Sequence, residues 1–129
     1  MSNANPEQMQ SYARQVLSIE AEAVLAQQAL IAEPAFVQAC ETIINTRGHV
    51  IVSGLGKSGH IGAKIAATLA STGTPAFFVH PTEAGHGDMG MLTAADTLIA
   101  ISFSGESGEL MTMIPLAQAM GLSVIAITG

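Results

Sequence analysis

Four short apolar runs, separated by helix-like segments, limit most strongly what this chain can fold into. They are HVIVSGL (49–55), PAFFVH (75–80), DTLIAISFS (96–104) and SVIAITG (123–129). Apolar residues follow one another in these runs without alternating with polar ones, which is typical of strands covered on both faces of a sheet. Strands that alternate with helices form βαβ units. We therefore predict an α/β fold built on a doubly wound parallel sheet.

Helical signals occur at the start of the chain and between the apolar runs. Apolar residues recur at helical spacing over residues 17–31, until Pro34 breaks the pattern. A second helix is predicted from about Pro34 to Thr46, with Gly48 as its C-terminal cap. The segments GAKIAATLASTG and ELMTMIPLAQAMG, which lie between later apolar runs, are also predicted to be helical.

The composition excludes several classes of protein. Charged residues make up only 11% of the 129 residues and the net charge is −6, so no nucleic-acid partner is expected. No apolar run approaches the ~18 residues of a membrane span, and the start, MSNANPEQMQ, lacks the features of a secretory signal. The single cysteine, Cys40, rules out an internal disulfide and fits a reducing compartment. We expect a cytoplasmic protein without a membrane partner.

A glycine-rich segment, VSGLGKSGHIG (52–62), follows the first apolar run and suggests a phosphate site. Its G-K-S ending fits the P-loop that binds nucleoside triphosphates. That motif also needs a glycine five residues before Gly56, and this position is Ile51. Gly54, Gly56 and Gly59 also fit the dinucleotide fingerprint G-x-G-x-x-G. That fingerprint requires an acid at the end of the second strand, and the nearest, Glu83, is poorly placed. A small phosphorylated ligand is therefore the favoured interpretation.

A second segment, ISFSGESGEL (101–110), also ends an apolar run and opens a predicted helix. It places Ser102, Ser104 and Ser107 around Gly105, and hydroxyls with backbone N–H groups at a helix start can hold an anion. Ser58 of the first segment is expected to join them, because ligands of open α/β sheets lie at the carboxyl ends of strands. The alternative is that these residues only form turns and N-caps. That alternative explains either segment alone better than it explains both.

Two longer stretches, GLGKSGHIGAKIAATLASTGTPAFFVHPTEAGHGDMGM and ISFSGESGE, resemble the sugar isomerase (SIS) domain. More narrowly, the chain is similar to the KpsF/GutQ family of bacterial arabinose-5-phosphate isomerases. The resemblance implies a single flavodoxin-like SIS domain at 1–129, with N-terminal helices at 1–47 and a βαβ core at 48–129. It also implies an enzyme that interconverts D-ribulose 5-phosphate and D-arabinose 5-phosphate for Kdo, lipopolysaccharide or capsule synthesis. No cofactor is implied, and the assembly would be a homodimer or homotetramer.

The resemblance also assigns roles to individual residues. Lys57 and Glu109 match catalytic positions, and His80 matches a position that binds an inhibitory zinc ion. The remaining matches are to positions that bind the sugar or its phosphate: Gly56, Ser58, Gly73, Thr74, His86, Ser102, Ser104, Gly105 and Ser107. Phe103 departs from the pattern, because the family usually has a small polar residue there. The family's domain continues past the position of Gly129, with further catalytic residues and usually a pair of CBS domains, so we expect a truncated domain.

The residues themselves leave alternatives open. Glu109 is expected in the first turn of a helix, where an acid also complements the helix dipole without any catalytic role. Lys57 also fits a solvated lysine of a loop. Because SIS domains occur in regulators as well, a non-catalytic sugar-phosphate sensor or an inactive fragment is the alternative to an isomerase.

Overall fold

The computed structural model describes residues 5–129 of the chain. Contacts within the chain divide it into two units, Met1–Gln38 and Ala39–Gly129, which are described separately. The chain forms helices α1 (Pro6–Ala26), α2 (Gln28–Ile31) and α3 (Pro34–Ile44) before its first strand. The first predicted helix is thus divided into two helices, α1 and α2.

Helix α1 is held by its own cap and leaves its apolar residues exposed. The Asn5 side chain accepts a hydrogen bond of 3.0 Å from the N–H of Glu7, and no residue of the helix is buried. Met9, Tyr12, Val16 and Ile19 are all exposed and follow one another at alternating steps of three and four. That spacing forms one continuous apolar stripe along the helix, as in the seam of a coiled coil.

The second unit contains a parallel sheet of four strands in the order β2-β1-β3-β4. The strands are β1 (Val50–Gly54), β2 (Ala76–Phe78), β3 (Thr97–Ser102) and β4 (Ser123–Thr128). This order is that of the flavodoxin-like doubly wound folds, so the predicted fold class is confirmed. Each predicted strand is present, with slightly narrower bounds.

Both faces of the sheet are covered, which explains why the strands read as continuous apolar runs. Val50 and Val52 pack with Ala66 of helix α4 (Gly56–Ser71) on one face. Ile51 packs on the other face with Leu110 and other residues of helix α6 (Gly108–Ala119). Because side chains alternate along a strand, one apolar run supplies two cores.

Helix α4 starts earlier than predicted, because the glycine-rich segment forms its first turns. A β-carbon on Gly59 would lie 2.7 Å from the Gly54 carbonyl oxygen, and one on Gly62 would lie 3.1 Å from the Phe78 ring. These glycines therefore allow the helix to pack closely on the sheet, which offsets their low helix propensity. The prediction that Lys57 and Ser58 belong to a loop is wrong for that reason.

Two short elements between β2 and β3 were not predicted. Helix α5 (Pro81–Gly85) follows the His80 N-cap, and a 3₁₀ turn covers Asp88–Met91. Five residues are too few for a periodic pattern to reveal the helix. No helix among the described residues 5–129 has the length and apolar character to cross a membrane.

A buried carboxylate joins the amino ends of β1 and β3. Asp96 is only 4% exposed. Its Oδ1 accepts the N–H of His49 at 2.7 Å, and its Oδ2 accepts the N–H and Oγ1–H of Thr93 at 2.6 and 3.0 Å. Burial by itself raises the pKa of Asp96, but these hydrogen bonds and the nearby His49 side chain outweigh it and lower the pKa below the ordinary 3.8. We call this group the Asp96 clamp.

Candidate functional site at the carboxyl ends of the strands

The chain reverses direction across the sheet between β1 and β3. From β1 it continues to β2 on one side, and from β2 it returns to β3 on the other side of β1. Ligands of open α/β sheets bind in the crevice that such a switch point creates at the carboxyl ends of the strands. The glycine-rich and serine-rich segments follow these two strands, so both begin at this crevice.

The tip of β1 is in close contact with both neighbouring elements. A β-carbon on Gly54 would lie 3.0 Å from the carbonyl oxygen of Ile101 and 3.1 Å from that of Ser58. Only glycine at position 54 allows the first turn of α4 and the end of β3 to approach the same point. The two predicted phosphate segments are therefore neighbours at the switch point.

The first turn of α4 carries the predicted residues Gly56, Lys57 and Ser58. Gly56 has a φ of +54°, Lys57 is exposed and Ser58 is half-buried. The N-cap of the helix is Leu55, whose side chain makes no capping hydrogen bond. The N–H groups of such a first turn have no intrahelical partner and carry the positive end of the helix dipole.

The segment between β3 and α6, residues 102–107, folds into a compact turn that we call the serine loop. The Ser102 and Ser107 hydroxyls lie 2.9 Å apart, and Ser102 Oγ accepts the N–H of Gly105 at 3.1 Å. Ser104 Oγ accepts the N–H of Glu106 at 3.2 Å. Ser107 is the N-cap of α6 but its side chain makes no capping bond. The structure therefore brings the predicted serines and Gly105 together at the start of α6.

Glu109 and His86 line one cavity. It has a volume of about 200 Å³ and lies between α5 and α6. Glu109 belongs to the first turn of α6, and His86 is the C-cap of α5. The other lining residues, which were not predicted, are Pro81, Thr82, Gly85, Met89, Thr112, Met113 and Leu116. Helix α5 forms one wall of the cavity, and its start is indicated in the sequence by His80 followed by Pro81, an N-cap before a proline.

Three further predicted residues belong neither to the cavity lining nor to the two segments that follow β1 and β3. Gly73 and Thr74 connect α4 to β2 and therefore lie at the amino end of the sheet, opposite the switch point. His80 is exposed, and its Nδ1 accepts the N–H of Thr82 at 3.3 Å, which leaves Nε2 as its remaining nitrogen. Within residues 5–129 no three His, Cys, Asp or Glu side chains are grouped to hold a metal ion. The substrate role of Gly73 and Thr74 and the zinc role of His80 stay predictions.

Comparisons with known proteins identify the family of this chain. The model of the SIS domain matches residues 42–129. Arabinose 5-phosphate isomerase KdsD of Pseudomonas aeruginosa is 51% identical over 117 residues, and the match covers 91% of this chain but 36% of that protein. The chain thus spans little more than a third of the length of this curated relative.

Solved structures of similar proteins share the fold. A protein of E. coli CFT073, solved in complex with arabinose 5-phosphate, superposes with a TM-score of 0.85 at 39% identity, covering 97% of this chain and 66% of that one. A protein of Listeria monocytogenes proposed to be a sugar-phosphate isomerase superposes with a TM-score of 0.91 at 31% identity, covering 98% and 66%. The family model, the sequence identity and the strand order agree, and the chain belongs to the SIS domain family.

Proposed function

We propose that this chain forms the phosphosugar-binding part of an isomerase that interconverts D-ribulose 5-phosphate and D-arabinose 5-phosphate. The observation that carries the proposal is the close approach of the first turn of α4 to the end of β3, where the serine loop begins. Glu109, two residues after that loop, lines a cavity together with His86. The identity of 51% to an arabinose 5-phosphate isomerase supports the choice of substrate. The complex of the E. coli relative with arabinose 5-phosphate supports it as well.

The serine loop is proposed to hold the phosphate. In this loop the Ser102 and Ser107 hydroxyls bond to each other, and a phosphate would replace that contact with bonds to its own oxygens. The N–H groups at the start of α6 add donors that the Ser107 side chain does not occupy. Lys57 and Ser58, at the start of α4, add a positive charge and a hydroxyl from the neighbouring strand end. The site thus gathers donors from two helices around one anion.

Glu109 is proposed as the base of the isomerisation. The reaction moves a proton between C1 and C2 of the sugar through an enediolate, so it needs a base beside those carbons and donors near their oxygens. Glu109 lies one turn from the serine loop, at the cavity wall opposite α5. A sugar anchored by its phosphate would extend along this cavity, with His86 available to bind a hydroxyl. Anchoring the far end of the substrate contributes to rate by positioning the reacting carbons.

The proposal extends to assembly and pathway. The exposed stripe of α1, with its steps of three and four, fits a helix of a second copy, which favours a homodimer or homotetramer. The name of the Pseudomonas relative, KdsD, supports a place in Kdo and lipopolysaccharide synthesis. The single cysteine is free and half-buried, which suits a cytoplasmic enzyme. No cofactor is required for this chemistry.

Two measurements on the purified chain test the proposal. In calorimetry, D-arabinose 5-phosphate should bind and D-arabinose without the phosphate should not, because the serine loop recognises the anion. In a coupled assay with D-ribulose 5-phosphate, turnover would support the isomerase. Binding without turnover would instead support a sugar-phosphate sensor, and no binding of the 5-phosphate would contradict the proposed site.

A further inference from the structure

Helix α4 is a positive element in a negative protein. The chain has four lysine and arginine residues, and two of them, Lys57 and Lys64, belong to this helix. None of the 16 residues of the helix is acidic. The ten aspartate and glutamate residues all lie elsewhere in the chain and bring its net charge to −6. Positive charge is therefore concentrated on one element of the fold.

Both lysines lie on the side of α4 that faces away from the sheet. The buried residues of the helix, Gly59, Gly62 and Ala66, mark the side that packs on the sheet. Each lysine is two residues from one of these glycines, which is about 200° around the helix, and each is exposed. Lys64 follows Lys57 by two turns, or about 10 Å along the helix axis. The two charges thus form a line that ends at the first turn of the helix.

Neither lysine is neutralised by the chain itself. Among residues 5–129, no carboxylate forms an ion pair with Lys57 or Lys64. The Nζ of Lys64 donates a hydrogen bond of 3.2 Å to Thr68 Oγ1, which is an uncharged partner. Strands β1, β2 and β3, on which α4 packs, contain no charged residue. The field of the two lysines therefore extends into solvent.

The placement of these charges does not stabilise the helix. The amino end of a helix carries a partial positive charge, so an acid in the first turn is favourable and a lysine there is unfavourable. Helix α1 follows this rule, with Glu7 in its first turn and Asn5 as a side-chain cap. Helix α4 has Lys57 in its first turn, no acid there and no side-chain cap. A charge pattern that opposes the helix dipole favours a role in attracting an anion.

An anion that approaches the proposed site also meets negative charge. Glu106 of the serine loop and Glu109 of α6 are both exposed there, and a phosphate ester carries about two negative charges at neutral pH. Lys64 does not contact a phosphate held at the first turn, because its Nζ bonds to Thr68, one turn further from that site. A distance of about 10 Å is, however, close to the screening length of physiological salt. Lys64 therefore attracts the anion before it binds.

We propose that Lys64 steers anionic sugar phosphates toward the carboxyl ends of β1 and β3. It acts on the rate of association and makes no contact with the bound ligand. Charges outside a binding site typically raise the association rate in this way, and salt removes their effect. The proposal rests on the proposed function, because it assumes that a phosphate binds at these strand ends.

Association rates at low and high salt test the steering. Rates for D-arabinose 5-phosphate would be obtained from NMR line shapes of the amides of residues 56–58. At about 10 mM salt, Lys64→Gln should lower the association rate about threefold and Lys64→Glu roughly tenfold, with the dissociation rate unchanged. Lys64→Arg should keep the wild-type rate. At about 0.5 M salt all four proteins should associate equally fast.

The matched control is Arg47→Gln, which changes the net charge by the same amount. Arg47 is exposed and precedes β1, at the opposite end of the sheet, so its loss should leave the association rate near wild type. An equal loss in Arg47→Gln, a loss that persists at high salt, or a faster dissociation of Lys64→Gln at an unchanged association rate overturns the steering alone. A wild type that does not bind D-arabinose 5-phosphate overturns the proposed function and the steering with it.

Discussion

The two ends of the sheet differ in how their polar groups are paired. At the amino end, both carboxylate oxygens of Asp96 accept hydrogen bonds from the chain, and the Thr46 and Thr97 hydroxyls bond to each other. At the carboxyl end, the N-caps Leu55 and Ser107 make no side-chain capping bonds.

This difference in pairing indicates that the amino end of the sheet is structural and that its carboxyl end is functional. Hydrogen bonds that the chain completes by itself contribute to stability. Donors that the chain leaves uncapped in an exposed turn are available to an anion, and they give little stability until one arrives. Substitution of Asp96 at the amino end should therefore affect folding, and substitution of Glu109 at the carboxyl end should affect turnover.

The largest expected effect is on catalysis. Glu109→Gln should lower turnover of D-ribulose 5-phosphate by about 10²- to 10⁴-fold, because an amide cannot accept the proton. Binding of the sugar phosphate and the unfolding midpoint should stay near wild type. The matched control is Glu83→Gln, which alters an acid of α5 outside the cavity lining. Equal losses in both variants would contradict the role of Glu109.

The next effect tests the close contact that forms the site. Gly59→Ala should destabilise the chain by about 3 kcal/mol and weaken binding, because its β-carbon would lie 2.7 Å from the Gly54 carbonyl oxygen. Gly108→Ala is the control, since a β-carbon there meets nothing within 4 Å at the start of α6. Urea unfolding and calorimetry would compare the two variants. A Gly59→Ala protein as stable as Gly108→Ala would show that the packing argument is wrong.

The Asp96 clamp should matter for folding alone. Asp96→Asn should lower the free energy of unfolding by about 2 kcal/mol at neutral pH, because its amide nitrogen cannot accept N–H groups. Binding at the far end of the sheet should not change. If the Asp96→Asn variant is folded by circular dichroism but binds the sugar phosphate more weakly, the two ends of the sheet do not have separate roles.

The same residue predicts a pH dependence. Because the pKa of Asp96 in the folded state lies below the ordinary 3.8, the clamp stabilises the protein above that pH and the stabilisation is lost as pH falls through the lowered value. Wild type should therefore lose stability on acidification below about pH 4 more steeply than Asp96→Asn. Urea midpoints of both proteins at pH 3 and pH 6 would measure the difference, and parallel changes would contradict it.

The smallest expected effect concerns the cap of α5. His80→Ala should cost about 1 kcal/mol, because the bond from the Thr82 N–H to Nδ1 is lost. His80→Asn keeps an acceptor at the N-cap and should retain most of the stability. Thermal midpoints of the two variants decide between a capping role and no role, and equal midpoints would contradict the cap.

The sheet could be predicted from the sequence because a buried parallel strand leaves a distinct signal. Continuous apolar runs such as 49–55 and 96–104 require cover on two faces, and that requirement leads to a doubly wound sheet. The order of the strands in the sheet could be expected only from the resemblance to the SIS domain, because the apolar runs do not indicate which strands are neighbours. The serine loop was predictable as well, since its residues are close in sequence.

The cavity could not be predicted, because its walls come from elements with weak local signals. Helix α5 has only five residues, and α4 begins in glycines that favour a loop until the sheet packs against them. The meeting of Glu109 with His86 depends on that packing.

Amide chemical shifts give the sharpest test of whether the ends of β1 and β3 hold one phosphate. D-arabinose 5-phosphate would be titrated into isotopically labelled protein while the amides of residues 56–58 and 102–108 are followed by NMR. Both groups should shift along one saturation curve with a single Kd, and D-arabinose should shift neither. Shifts confined to one group, or two groups that saturate with different Kd values, would contradict a shared site.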